Sequence, residues 1–192
     1  FYVRPSFILP QEKGVLTPNG GPLGRVQGNL IKMSIGFDDT DSPRMGCTTY
    51  IAALLVEKLH RLGASFVDYP NLIRLNPNVP WKTRGNGALC LRLNCNDGQV
   101  EEIKEIALDV VEKNSDLSCK GTDPGVVFFF GNTIPTELAS FGRQAIQGIV
   151  KLRNAMNLIK TFEAEAVGYR TQRGIIGALA AVGETLTGDH TY

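Results

Sequence analysis

Residues 35–42 read IGFDDTDS, an apolar run that leads directly into three carboxylates, those of Asp38, Asp39 and Asp41. Carboxylates this close repel one another, because like charges within hydrogen-bonding distance cost energy or raise a pKa. A divalent cation that carries a phosphate removes this cost. The alternative is a plain turn, since Asp and Ser are common wherever a chain reverses. This acidic loop (residues 38–42) is therefore a candidate site for a metal ion and a phosphate.

The residues on either side of the acidic loop predict a strand before it and a helix after it. Residues 33–37 form a short apolar run, and Ile51, Leu55 and Leu59 recur at helical spacing within residues 48–62. In α/β folds, ligands bind where strands end and lead into helices. The loop consequently lies where such a fold places a site.

The rest of the chain alternates strand and helix patterns, which predicts an α/β (α+β) fold class. The strand-like runs are residues 72–75, 88–95, 125–130 and 164–169, and the helical patterns are residues 100–113, 136–146, 149–160 and 174–182. The strand–helix–strand order across residues 88–130 is a βαβ unit, a piece that ferredoxin-like folds reuse.

This order suggests two domains, one of them discontinuous. We expect residues 33–70 and about 136–192 to form the first domain, with a smaller α/β unit at about 71–135 inserted in it. Residues 1–32 carry four prolines and no sustained period. They are predicted to be an extension, a tag or a leader, and they stay outside the functional argument.

The composition limits the classes of function. The chain has 192 residues, with 20 basic and 19 acidic side chains, so no overall field attracts nucleic acid and any RNA contact is expected to be local. No stretch approaches ~18 uninterrupted apolar residues, which predicts no membrane span. The four cysteines do not form closely spaced pairs, which argues against a zinc site and for a reduced, cytoplasmic protein.

A second cluster of polar residues follows the short strand pattern at residues 72–75. Its basic turn reads KTRGNG and consists of Lys82, Thr83, Arg84, Gly85, Asn86 and Gly87. Lysine and arginine supply charge-assisted donors for phosphate oxygens, and the glycines allow exposed backbone N–H groups. The spacing of a P-loop is absent. The turn is predicted to bind phosphate, with a basic surface turn as the alternative.

Thr48 lies at the predicted start of the helix that follows the acidic loop. Free N–H groups and the dipole at a helix N-terminus favour a phosphate there. From the residues alone, Thr48 is either a helix cap or a functional hydroxyl. A calcium loop of the EF-hand type is excluded, because Arg44 and Tyr50 stand where it needs Gly and Glu.

Two further segments carry weaker signals. Residues 121–125 read GTDPG before the most apolar strand pattern, and a plain turn is favoured over a pocket lining. Arg170 and Arg173 precede the last helix and meet either phosphate, RNA or water.

Four blocks of sequence together resemble a known family, the archaeal tRNA(Ile) 2-agmatinylcytidine synthetases. These blocks are GFDDTDS at residues 36–42, GCTTY at 46–50, IRLNP at 73–77 with KTRGNGA at 82–88, and RGIIGALAA at 173–181. Four blocks in the right order are more specific than any single motif, and the resemblance covers roughly residues 33–192.

The resemblance implies an ATP-dependent ligase. Such an enzyme phosphorylates the C2 carbonyl oxygen of the wobble cytidine in tRNA(Ile) with a CAU anticodon, and agmatine then displaces the phosphate. The positions that match the family's catalytic residues are Asp38, Asp39, Asp41 and Thr48. The three carboxylates are the implied Mg²⁺ ligands, and Thr48 is the implied phosphorylated threonine. The basic turn at residues 82–87 is then expected to bind ATP.

The resemblance also implies a domain plan. The discontinuous domain is expected to be kinase-like and the inserted unit ferredoxin-like, whereas the family's OB-fold and zinc ribbon, which grip the tRNA, have no counterpart in these residues. We therefore expect a catalytic fragment that binds tRNA weakly. Two alternatives remain open at this stage: a nucleotide- or RNA-binding module without chemistry, and a small-molecule kinase or ligase on the same scaffold.

Overall fold

The structure of residues 29–185, taken from a computed structural model, contains six strands and five α-helices. Their order is β1 (Leu30–Asp38), α1 (Thr48–Arg61), β2 (Ser65–Phe66), β3 (Asn71–Arg74), β4 (Gly87–Asn96), α2 (Val100–Asn114), β5 (Gly125–Phe130), α3 (Thr136–Gln147), α4 (Leu152–Thr161), β6 (Glu165–Gly168) and α5 (Gly174–Gly183). A short 3₁₀ turn, Asp97–Gln99, joins β4 to α2.

All six strands belong to one sheet, in the order β2-β4-β1-β5-β6, with β3 also paired to β4. The central strand, β1, is antiparallel to both of its neighbours. Ile35 on β1 lies opposite Leu91 of β4 and Phe128 of β5. The strands β4 and β5 therefore run parallel to each other, and β1 lies between them.

The helices α1 and α2 cover one face of the sheet. Alternate residues of β1, including Ile35 and Phe37, point to this face and pack with Ile51 and Leu55 of α1 and Ile103 of α2. These side chains are fully buried. The helical spacing of the apolar positions in α1 and the alternation in β1 are thus satisfied by the same core.

The helices α3, α4 and α5 cover the opposite face. The helix α5 is apolar nearly all round, and it lies between the sheet and α3. Gly36 of β1 permits this close approach, because a Cβ atom at that position would overlap the backbone carbonyl of Ala178. The sheet is therefore buried on both faces, which explains its nearly continuous apolar strands.

The predicted fold class, a mixed α/β (α+β) fold, is confirmed by this combination of helices and an antiparallel sheet. Every predicted strand and helix between residues 33 and 182 is present. The sequence missed only the two-residue β2 and the early start of β1 at Leu30 among the strands that the structure describes. Residues 1–28 and 186–192 lie outside the described part of the chain.

The strand–helix–strand unit β4-α2-β5 shares its sheet with β1. Hydrogen bonds join β1 to a strand of this unit along each edge, and α1 packs with α2 in one core. The structure therefore draws no boundary at residue 70, since β1, α1, β2, β4, α2 and β5 together follow a β-α-β-β-α-β order. The predicted division into two domains stays a prediction.

Candidate active site

A cleft opens where β1 ends and α1 begins. All ten residues singled out from the sequence line it: Asp38, Asp39, Asp41, Thr48, Lys82, Thr83, Arg84, Gly85, Asn86 and Gly87. The acidic loop forms one wall and the basic turn faces it. Arg173 and Gly177 from the start of α5 complete the acidic side, and Trp81 and Ile149 add apolar surface.

Asp39 is held by an arginine from the distant end of the chain. Its Oδ2 accepts hydrogen bonds from Nη2 of Arg173 at 2.8 Å and from Nε at 3.2 Å. The same guanidinium donates to the carbonyl of Gly121 at 2.6 Å and lies 3.6 Å from a carboxylate oxygen of Asp123. The pKa of Asp39 is nevertheless raised, because desolvation outweighs the attraction of Arg173.

Asp41 makes the corresponding contact with the basic turn. Arg84 donates from Nε to Oδ2 of Asp41 at 2.8 Å and from Nη2 to the carbonyl of Gly46 at 2.6 Å. Thr83 adds a long hydrogen bond of 3.4 Å to the carbonyl of Asp41. These contacts join the two walls of the cleft in a way that neither sequence motif predicts.

Asp38 is packed against α5 at the back of the cleft. Its pKa is raised to about 7, mainly by desolvation and then by repulsion from Asp39. Gly177 leaves room for this carboxylate, because a Cβ atom there would overlap Asp38 Oδ2. Asp38 is therefore a carboxyl group that titrates near neutrality inside a polar cleft.

The three carboxylates of the acidic loop each face a different neighbour and do not converge on one point. Asp39 faces Arg173, Asp41 faces Arg84, and Asp38 lies against α5. Within residues 29–185, no group of three or more His, Cys, Asp or Glu side chains is arranged to hold a metal ion. The positive charge that the acidic loop requires is supplied here by two arginines, and the set of three metal ligands stays a prediction.

Thr48 is the first residue of α1 and lines the cleft. The residue before it, Cys47, makes no side-chain capping hydrogen bond, and the first turn carries no acidic residue. The positive end of α1 is thus open to an anion in the cleft. Thr48 Oγ1 accepts a hydrogen bond from Thr40 Oγ1 at 3.0 Å.

The basic turn is held in shape by its own polar contacts. The backbone N–H of Leu75 donates to the carbonyl of Asn86 at 2.9 Å, and Asn86 Nδ2 donates to the carbonyl of Asn76 at 2.8 Å. Lys82 is exposed, and its ammonium has no ion-pair partner among the residues that the structure describes. It is therefore a free cation beside the cleft.

Buried polar residues hold the acidic loop from beneath. Ser42 Oγ donates to Asp116 at 2.7 Å and accepts from the backbone N–H groups of Arg44 and Met45. Thr122 Oγ1 donates to the carbonyl of Asp41 at 2.9 Å. The pKa of Asp116 is lowered to about 2 by hydrogen bonds from Ser118 and Ser42 and by the nearby Arg44.

Sequence reasoning therefore identified both walls of the cleft but omitted several residues that complete it. The TDPG segment was interpreted as a plain turn, yet Asp123 lies beside Arg173 and Thr122 supports the acidic loop. The unpaired carboxylates were the available signal, because each of them required a cation from elsewhere in the chain.

Comparison with known proteins adds independent findings. A sequence model of the family described as the TiaS TCKD domain matches residues 34–171. The chain is 45% identical over 157 residues to the tRNA(Ile) 2-agmatinylcytidine synthetase TiaS of Thermococcus sibiricus, covering 82% of this chain and 36% of that protein. The TiaS of Pyrococcus horikoshii is 43% identical over 160 residues, with 83% and 37% covered.

Two solved structures have the same fold over this region. The crystal structure of a complex of TiaS with its isoleucine tRNA and ATP superposes with a TM-score of 0.73 at 37% identity, covering 82% of this chain and 37% of that chain. A complex of TiaS with the same tRNA, AMPCPP and agmatine gives 0.74 at 34% identity, also with 82% and 37% covered. The chain thus spans little more than a third of the length of the relatives that it matches.

Proposed function

The chain belongs to the family of the TiaS TCKD domain, and we propose that it performs the ATP-dependent step of wobble-cytidine modification in tRNA(Ile). The relatives named above are tRNA(Ile) 2-agmatinylcytidine synthetases, and solved relatives were crystallised with ATP, with an isoleucine tRNA and with agmatine. In this proposal the nucleotide binds in the cleft between the acidic loop and the basic turn.

One observation carries the proposal: the acidic loop and the basic turn form two walls of the same cleft, although Asp41 and Arg84 are 43 residues apart in sequence. A triphosphate between them meets Lys82, Arg84 and the open N-terminus of α1. Phosphoryl transfer depends mainly on positioning and on neutralising charge, and this arrangement of donors supplies both.

We assign Thr48 as the phosphate acceptor on the protein. In that step Thr48 Oγ1 bonds to the terminal phosphorus, the bond to the bridging oxygen breaks, and the nucleoside diphosphate leaves with the electron pair. The hydroxyl proton passes to water at the open cleft. The carboxylates Asp38, Asp39 and Asp41 shape the electrostatic field on the opposite side of the transferred group.

The second half of the proposed reaction takes place on the RNA. The C2 carbonyl oxygen of the cytosine receives a phosphoryl group, which turns a poor leaving group into a good one. The primary amine of agmatine then bonds to C2, the C2–O bond breaks, and inorganic phosphate leaves while the amine proton passes to water. The near-zero net charge of this chain supports weak tRNA binding by these residues alone.

Magnesium belongs to this proposal only as an ion that enters with the nucleotide. The carboxylates do not form a cage of three ligands, but Mg²⁺ commonly takes one or two carboxylates and completes its shell with phosphates and water. Asp39 and Asp41 fit that role if Arg173 and Arg84 turn towards the phosphates, since arginine binds phosphate and carboxylate through the same fork.

The test is transfer of label from γ-labelled ATP to the chain in the presence of Mg²⁺. We expect the wild type to be labelled and the T48A variant to remain unlabelled, with the site confirmed by mass spectrometry of the peptide that contains residue 48. Addition of tRNA(Ile) and agmatine should then yield modified cytidine. An unlabelled wild type that binds ATP with normal affinity contradicts the proposal.

One observation favours a second function, a nucleotide-binding module without chemistry of its own. Asp39 and Asp41 are both paired with arginines, so the acidic loop is already neutral without a metal ion. In that case ATP binds and is neither hydrolysed nor transferred, even when tRNA and agmatine are present.

No helix within residues 29–185 has the combination of length and apolar character needed to span a bilayer.

A further inference from the structure

The hydroxyl of Thr40 is buried directly behind the proposed phosphate acceptor. Thr40 lies in the acidic loop between Asp39 and Asp41 and has no solvent-exposed surface. Its Oγ1 donates to Thr48 Oγ1 at 3.0 Å across a sequence separation of eight residues. Among the described residues, Thr48 is the one recorded hydrogen-bond partner of this side chain.

The direction of this hydrogen bond determines how Thr48 is presented to the cleft. A hydroxyl group has one proton and two lone pairs. Since Thr40 donates its proton, one lone pair of Thr48 Oγ1 is occupied at the rear, while the other lone pair and the Thr48 proton remain available on the cleft side. Threonine in a helix divides between two χ1 rotamers, and such a bond selects one of them.

We propose that Thr40 is a positioning residue that fixes the Thr48 hydroxyl in the orientation required to accept a phosphoryl group. This inference rests on the proposed function of Thr48. Positioning matters because an acceptor oxygen must be held close to the phosphorus and in line with the leaving group. The acidic loop, in this view, both creates the local field and aims the nucleophile.

A purely structural role is the competing explanation. A buried hydroxyl needs a partner, and the Thr40–Thr48 pair then serves only to fasten the acidic loop to α1. The two explanations differ in what a variant changes. Loss of fastening lowers stability and ATP affinity together, whereas loss of positioning lowers the rate of transfer while ATP affinity stays constant.

The experiment compares three variants of the full 192-residue chain with the wild type. T40V removes the hydroxyl at nearly constant volume, and T40S keeps the hydroxyl while losing the methyl group. T185V is the matched control, because Thr185 is also buried and donates to a backbone carbonyl, that of Val182 at 3.1 Å, at the end of α5. Rates of Thr48 labelling from γ-labelled ATP and calorimetric ATP affinity are measured for each.

We expect T40V to be labelled about fivefold more slowly than the wild type, which corresponds to the loss of one hydrogen bond in the transition state. Its ATP affinity should remain within about twofold of the wild-type value, a shift well below the net contribution of one hydrogen bond. T40S should restore most of the rate, and T185V should be labelled at the wild-type rate. If T40V does not fold, the comparison of T40A with T40S isolates the same hydroxyl.

Two results overturn the inference: T40V labelled at the wild-type rate, or T40V and T40S slowed equally. If the wild type is not labelled at all, the proposed function fails, and the χ1 rotamer of Thr48 decides this inference separately. Three-bond NMR couplings should give a single rotamer in the wild type and in T40S, and an average in T40V. Identical couplings in the wild type and T40V contradict the positioning role.

Discussion

The guanidinium of Arg173 lies 2.8 Å from Oδ2 of Asp39, although 134 residues separate the two in sequence. This ion pair joins the start of α5 to the loop after β1, the central strand of the sheet. Asp39 has a backbone φ of 58°, in the left-handed region that few residues other than Gly adopt without cost. The contact with Arg173 thus helps to hold a strained residue in place at the cleft.

Replacement of Arg173 by Ala should lower the free energy of unfolding by about 2 kcal/mol. The change leaves the largely buried carboxylates of Asp39 and Asp123 without their cation, and an uncompensated buried charge is costly, although water at the cleft reduces the effect. Urea denaturation measures the difference. R61A is the control, because the exposed pair of Arg61 with Glu57 should contribute less than about 0.5 kcal/mol. Equal losses in the two variants contradict this account.

Asp116 should make the stability of the protein depend on pH in the acidic range. Its pKa is about 2 in the folded protein, and the ordinary value for Asp is about 3.9. A depressed carboxyl pKa stabilises the fold above the unfolded value, and this contribution is lost as the pH falls from about 4 to about 2. Stability from urea denaturation should therefore fall steeply across that window in the wild type.

The D116N variant tests the source of this acid sensitivity. It should be less stable at neutral pH, because the hydrogen bonds from Ser42 and Ser118 lose their charged acceptor. Its stability should also change less between pH 4 and pH 2. D109N is the control, since Asp109 lies on the surface of α2 and pairs only with Lys113 among the described residues. A wild-type acid profile in D116N excludes Asp116 as the cause.

Replacement of Gly177 by Ala should destabilise the protein by about 1–3 kcal/mol, the usual cost of overpacking. Helix propensity alone predicts the opposite, a gain of about 1 kcal/mol for Gly→Ala inside a helix. The new Cβ atom would overlap the carboxylate of Asp38, which must then move out of its place against α5. Thermal or urea denaturation gives the sign of the change directly.

G98A is the matched control for G177A. Gly98 lies in the short 3₁₀ turn, and a Cβ atom there meets no heavy atom within 4 Å. We expect its stability to stay within about 0.5 kcal/mol of the wild type, as for most surface substitutions. A stabilised G177A would mean that Asp38 has space that the structure does not contain.

Local sequence patterns predicted the elements of this fold because their periods are clean. The alternation in residues 88–95 and the helical spacing of Ile51, Leu55 and Leu59 each correspond to one face of an observed strand or helix. The position of β1 between β4 and β5 was not predictable in this way. Strand pairing is set by contacts between segments far apart in sequence, and no local period records it.

The same limit applies to the site. The chemical types in the acidic loop and the basic turn predicted that both bind a charged ligand, and both line the cleft. The sequence did not indicate that Arg173 pairs with Asp39 or that Arg84 pairs with Asp41. A carboxylate needs a cation, but a metal ion and an arginine satisfy that need equally well at the level of residue types.

Replacement of Lys82 by Ala should weaken ATP binding about tenfold, the usual effect of losing one charge-assisted hydrogen bond to a phosphate. Stability should not change, because Lys82 is exposed and forms no ion pair within the described residues. Isothermal titration calorimetry with Mg²⁺ and ATP measures the affinity, and urea denaturation measures the stability. K58A is the matched control, since Lys58 is equally exposed but lies near the far end of α1. Equal ATP affinity in K82A and K58A contradicts a phosphate-binding role for the basic turn, whereas a loss of stability in K82A assigns Lys82 to the fold.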